Sequence, residues 1–244
     1  MKVCVAQIKP IKADITGNIS KHKTLIDLAV SQGADIIVFP ELSLTGYEPL
    51  LADALAIHSD DERLDVFQKM SDAHPITIGV GIPTKAGTGI QISMVIFQPQ
   101  QPRLTYSKQY LHSDEYPYFT PVQNPVILSA FSHKLAPAIC YESLLPEHSE
   151  NAFQRGADIY IASVAKSAKG VEKAGKHFPA LAKKYGMIVL MSNCIGPCDD
   201  FESVGNTSVW NKEGLLVGRL NGSNEGILLI DTDTGDIIEK TFEN

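Results

Sequence analysis

The chain has 244 residues, 44% of them hydrophobic and 20% charged, with a formal net charge of −7 and a pI near 5.5. That supports one large domain or two small ones with a substantial core, and without a Lys/Arg run it excludes the basic footprint of a nucleic-acid or anionic-lipid binder. No segment reaches the roughly 18 apolar residues of a membrane span, and the start "MKVCVAQIKP" lacks the apolar centre of a signal peptide, so a soluble, cytoplasmic protein with no membrane partner is expected.

In chain order, "KVCVAQI" (2–8) reads as a strand. "NISKHKTLIDLAVSQG" (18–33) reads as a helix that Asn18 or Ser20 can cap and Gly33 stops. "ADIIVFP" (34–40) is a strand buried on both faces, and 60–74 is the next helix. "ITIGVGIP" (76–83) and "QISMVIFQP" (91–99) are strands about a Gly-rich turn, and "RLTYSKQY" (103–110) alternates as a strand entering a polar loop. The second half repeats the theme with a strand at 134–140, a helix at 146–156 with Pro146 near its start, and a strand at 157–164. A helix at 176–186 and a strand at 187–193 follow. Two hairpins close the chain at 207–220 and 225–238.

"QGADIIVFPE" and "RGADIYIASV" are alike: a helix stop, Ala-Asp, then a strand. Two copies do not make a solenoid, but they suggest two similar βα layers within a single domain, residues 1–244. The glycines of 79–89 lack the spacing and following helix of a phosphate loop and read as a hairpin turn. Cys194 and Cys198 flank Ile195-Gly196-Pro197. With no second ligand pair in view they read as two thiols in a loop, not a metal site.

Three strands end on chemistry. Glu41 follows Pro40 directly after an apolar run, Lys108 lies where an alternating strand becomes loop, and Cys140 ends "KLAPAIC" immediately before a turn. Taken singly, a solvated glutamate, a surface lysine and a packing cysteine are the commoner outcomes. Together they offer a base for the thiol proton, a cation for the thiolate and oxyanion, and a nucleophile.

These stretches resemble the nitrilase superfamily of carbon–nitrogen hydrolases, whose triad is Glu–Lys–Cys. "FPELSLTGYEP" (39–49) is similar to the base motif, "KQYLHSDEYPYFTP" (108–121) to the lysine segment, and "AICYESLLPE" (138–147) to the nucleophile elbow. The resemblance covers nearly the whole chain in order. It implies Glu41, Lys108 and Cys140 as the catalytic trio and Glu115 as an assisting carboxylate. It also implies the backbone N–H of Tyr141 as an oxyanion donor and Tyr47 and Asn193 as pocket residues. The implied fold is a four-layer α-β-β-α sandwich. No metal or organic cofactor is implied, the partner is a small amide substrate, and a homodimer or higher homo-oligomer is expected. The chain is expected to hold no appended synthetase or acyltransferase domain.

By this resemblance Cys140 attacks an amide (or, less expectedly, a nitrile) to form a thioester that water hydrolyses. Aliphatic amides, N-carbamoyl amines and ω-amides of keto acids all stay open as substrates. The sequence departs from the family where Arg-Phe-Pro-Glu is replaced by Leu144-Leu145-Pro146-Glu147, which removes a basic side chain. The usual Pro-Ser-Ala after the next strand is replaced by Ala162-Ser163-Val164-Ala165, with Lys166 nearby. Those changes favour one alternative, a catalytically weak or inactive family member acting as a binding or regulatory module; a separate alternative is an acyltransferase using the same thioester.

Overall fold

The computed structural model describes residues 1–87 and 89–242. Two sheets face each other. The first has seven strands in the order Ile237–Thr241, Gly226–Asp231, Lys2–Gln7, Ile36–Val38, Thr77–Ala86, Gly89–Phe97 and Leu104–Ser107. The second has six: Leu216–Arg219, Ser208–Trp210, Ile188–Asn193, Ile159–Val164, His133–Ile139 and Leu128–Ala130. In each sheet three central strands run parallel and their flanking neighbours run antiparallel.

Parallel strands covered on both faces need apolar residues at successive positions, which explains the unbroken runs read from the sequence. Alternate residues of each strand go to different cores. Val3, Val5, Ile36 and Val38 meet Ile159, Ile161, Ile188 and Leu190 between the sheets. Cys4, Ala6 and Ile37 turn outward against Leu25, Ile26 and Phe67 of the helices Ile15–Ser31 and Asp65–Ala73. Ala138, Tyr160 and Ala162 turn outward against Ala152, Phe178 and Leu181 of the helices Pro146–Gln154 and Ala168–Tyr185. The architecture is therefore an α-β-β-α sandwich. Each fully buried Val, Leu or Ile contributes about 1.5–3 kcal/mol, so these cores dominate stability.

Hydroxyls lace the two sheets at the ends of their parallel strands. Ser192 donates from the second sheet to Ala6 O (2.7 Å) and Val38 O (3.0 Å) in the first. Ser163 donates to Phe39 O at 2.8 Å. These bonds fix the spacing of the strand ends that carry the site.

Several local readings are corrected. The first helix starts at Ile15 and is capped by Asp14, whose side chain accepts from Gly17 N; Asn18 is buried inside it and Ser20 lies further along. The helix before residue 186 starts at Ala168, two turns earlier than its sequence suggests. Gly79 and Gly81 belong to the strand Thr77–Ala86, and a turn is reached only at Gly87; residue 88 lies outside the described residues. Cys194 and Cys198 are buried at a small hairpin, Ile195–Cys198 with Phe201–Val204, their sulfurs 3.5 Å apart.

Candidate active site

Glu41 stands in a turn after Ile36–Val38 that is held from three sides. Pro40 cannot donate to the sheet, which ends the ladder. Leu44 N donates back to Gly81 O at 3.0 Å. Gly81 must be glycine: a Cβ there would lie 2.4 Å from Pro40 O and 2.5 Å from Leu42 N. From below, Asn18 Nδ2 donates to Leu44 O (3.0 Å). The ring of His22 contacts Asn18 O through Nδ1 (2.7 Å) and Ser43 Oγ through Nε2 (2.9 Å). A carbonyl only accepts, so Nδ1 carries the proton and Nε2 accepts from the serine. Burial holds His22 neutral, its pKa pushed down to about 3.

Lys108 follows Leu104–Ser107 and is as buried as a core leucine. Its Nζ donates to Glu41 Oε1 at 2.7 Å and to Glu115 Oε1 at 2.6 Å. Glu115 also accepts from Tyr47 OH (2.9 Å) and from His112 N (2.7 Å). Burial alone would lower the Lys108 pKa; the Glu41 charge and then the Glu115 charge overcome it, and the ammonium is held well above its usual value.

Cys140 ends His133–Ile139 and opens the 3₁₀ turn Cys140–Leu144. Its φ is +46°, a left-handed conformation unusual for a residue other than glycine and a form of strain associated with functional positions. Glu142, which the sequence reading passed over, anchors this elbow. Its buried carboxylate accepts from Ile139 N (2.7 Å), Gln109 N (2.6 Å), Tyr110 N (3.2 Å) and Tyr106 OH (2.5 Å). One side chain thus ties the cysteine turn to the lysine loop. A Glu next but one after a candidate nucleophile, inside a run with no other charge, was the signal available.

The electrostatics keep the thiol protonated at rest. Burial pushes the Cys140 thiol up to about 11, Glu41 adds to this, and Lys166 and then Lys108 pull it down. Burial likewise raises the Glu41 carboxyl, against Lys108 and with Glu115. Glu41 Oε2 is buried without a hydrogen-bond partner, and the Cys140 thiol lies close enough to pull the carboxyl's pKa down.

Lys108, Glu115, Cys140 and Tyr47 line one pocket of about 300 Å³, with Tyr141, Leu144, Phe201 and Lys166. Asn193 does not line it. Its amide accepts from Lys166 N (2.8 Å) and donates to Lys166 O (3.2 Å) and Gly205 O (2.7 Å), so it buttresses the strand exit from behind. Lys166, noted in the sequence only as a departure, has its Nζ 3.9 Å from Cys140 Sγ. No group of three or more His, Cys, Asp or Glu side chains able to hold a metal occurs among the described residues.

Residues 2–241 match the family model described as carbon-nitrogen hydrolase. The chain is 26% identical over 249 residues to a glutamine-dependent NAD(+) synthetase of Aquifex aeolicus, an alignment covering 98% of this chain and 44% of that protein. It thus spans less than half the length of that relative. It is 24% identical over 226 residues to a 2-oxoglutaramate amidase of Bacillus subtilis, covering 91% of this chain and 86% of that protein. Among solved structures, an amidase from Nesterenkonia sp. has a TM-score of 0.86 at 23% identity, covering 95% of this chain and 89% of that one. A variant of the Nesterenkonia sp. AN1 amidase in complex with butyramide has a TM-score of 0.85 at 23% identity, covering 95% and 90%. These structural likenesses carry the fold.

Proposed function

Since this chain belongs to the carbon–nitrogen hydrolase family, we propose that it cleaves the C–N bond of a small linear amide or N-carbamoyl compound through a thioester on Cys140. The observation that carries this reading is that Lys108 and Glu115 share one pocket with a strained cysteine, while Glu41, which does not itself line the pocket, is buried behind it on the same Lys108 ammonium.

In this mechanism the free Oε2 of Glu41 takes the thiol proton as sulfur attacks the carbonyl carbon. A resting thiol with its pKa pushed up to about 11 calls for such a base. The oxyanion forms between Lys108 Nζ and the N–H of Tyr141, the second residue of a turn whose first N–H groups have no acceptor within it. Such a donor is worth about 3–4 kcal/mol in a site closed to water. Glu115, itself held by Tyr47 and His112 N, fixes Lys108 at that point. Glu41 then passes its proton to the leaving nitrogen, and ammonia or an amine departs as the C–N bond breaks. A water gives a proton to Glu41 and its oxygen to the thioester carbon, which releases the acid. The proton then returns to sulfur.

The likeness to a glutamine-dependent NAD(+) synthetase and a 2-oxoglutaramate amidase supports an amide over a nitrile. The test is an ammonia-release screen over small amides and carbamoyl compounds, with Cys140→Ala as the blank and mass spectrometry of the trapped acyl-enzyme. Turnover that persists in Cys140→Ala would end the reading. The homodimer is part of the proposal too, and light scattering of the purified chain tests it.

A further inference from the structure

Lys166 is buried in the pocket wall almost as fully as Lys108 but has no carboxylate. Its side chain is 95% buried, and among the described residues its ammonium forms no ion pair; its one polar neighbour within bonding range is Cys140 Sγ at 3.9 Å. His177, close enough to feel the Lys166 charge, is itself shifted toward the neutral form, first by burial and then by that charge. A buried cation is costly to hold without an anion.

The fold nevertheless holds it there. Lys166 N donates to Asn193 Oδ1, and its carbonyl accepts from Asn193 Nδ2, Ser203 Oγ (3.1 Å) and Val204 N (3.2 Å). The stem runs over Gly170, where a Cβ would lie 3.1 Å from Lys166 Cβ and 3.2 Å from Cγ. The pocket's own acids are already engaged: Glu115 by Lys108 and Tyr47, and Asp114 at the rim by His112 (2.5 Å). Lys173, exposed one turn beyond Gly170, adds a second cation to the lining.

We propose that Lys166 binds a carboxylate on the acyl part of the substrate, so that the amide cleaved is a half-amide of a short dicarboxylic acid. This rests on Cys140 being the nucleophile. The short Nζ–Sγ separation requires the carboxylate to lie near the carbonyl under attack. Lys166 therefore sets specificity by its contact with the substrate, beside any general effect it has on sulfur.

Alkylation separates the two effects without knowledge of the natural substrate. Iodoacetate and iodoacetamide both form a C–S bond with release of iodide, and differ in a carboxylate against a neutral amide. A general effect on sulfur cancels in their rate ratio, measured at Cys140 by peptide mass mapping. The wild-type ratio should exceed that of glutathione by about tenfold or more, and Lys166→Met should return it to the glutathione value. Lys166→Arg should keep most of the preference. Steady-state rates should agree, with succinamate preferred over butyramide by the wild type and the preference lost in Lys166→Met. A wild-type ratio no higher than that of glutathione, or one unchanged in Lys166→Met, would overturn the proposal. Alkylation of Cys140 by neither reagent would instead overturn the nucleophile assignment, and this proposal with it.

Discussion

The two halves of the sandwich are nearly interchangeable at one end and unlike at the other. At the foot, the two Gly-Ala-Asp stretches do the same work. Gly33 and Gly156 turn the chain out of a helix with φ of +74° and +84°. Ala34 N and Ala157 N bond back into their helices, to Ala29 O and Ala152 O. Asp35 accepts from Lys2 N at 2.7 Å, and Asp158 from Lys134 N at 2.8 Å. Asp35 N and Asp158 N donate to the carbonyls of those same lysines. At the head, one half delivers Glu41 and the other Lys166, both near enough to Cys140 to shift its thiol. Backbone satisfaction has one good solution here, so the foot repeats. The proposed chemistry on a single carbonyl calls for unlike groups, and the head differs accordingly.

The comparison breaks most visibly at the head. Glu41→Gln should lower kcat/KM by about 10²–10⁴-fold, the usual contribution of a positioned base, with the melting temperature unchanged or raised. Unaltered turnover would show that the carboxylate is a structural partner of Lys108, as Asp35 is of Lys2.

Next in size is Gly81→Ala. The added Cβ collides with the backbone at Pro40 and Leu42, so the Glu41 turn must move. A displacement of about 1 Å at a reacting group costs roughly 10²-fold, so activity should fall further than the loss of stability explains. Equal losses in folding and catalysis would mean that the turn is not held to its chemical task.

The pH profile sharpens the same end. Glu41 must be ionised to accept the proton, and its pKa lies above the ordinary carboxylate value of 4.5. The acid limb of kcat/KM should therefore rise about tenfold per pH unit through a pKa above that value. Toward pH 11 the thiol ionises to solvent, Glu41 has no proton to pass to the leaving nitrogen, and the rate should fall. An acid limb at or below 4.5 would place Glu41 outside the proton path.

The head was partly legible in the sequence because an apolar strand that stops on a charged or thiol residue exposes a conflict between burial and polarity. Glu41, Lys108 and Cys140 each show it. Lys166 also follows an apolar run, but the Ser and second Lys after it make "SVAKSAKG" read as a strand passing into a polar turn. Its burial comes from a helix that Gly170, Gly175 and Pro179 disguise by lowering helix propensity, and that packing of Ala174, Phe178 and Leu181 restores. Asn18 and His22 were hidden similarly. On a helix they look like surface polar residues, and only the tertiary fold brings Leu44 O and Ser43 to them. The layered architecture was legible as a repeat, but which strands lie edge to edge was not, because the order within each sheet depends on contacts far apart in the chain.

The smallest effect is expected at the foot, and it tests the comparison from the other side. Asp158→Asn keeps an acceptor for Lys134 N but removes the charge that also meets His133 Nδ1 at 2.5 Å. Asp35→Asn alters one bond, to Lys2 N. Both aspartates are partly exposed, so each bond is screened, and urea melts should show losses of about 0.5–1.5 kcal/mol, larger for Asp158. Because the two feet share no partner, the double variant should lose close to the sum. Neither change touches a strand exit, so kcat/KM on any amide the wild type hydrolyses should stay within about twofold, as for substitutions distant from a site. A fall in activity without a fall in stability would show that the foot sets the spacing of the head, and that the two ends are not separable.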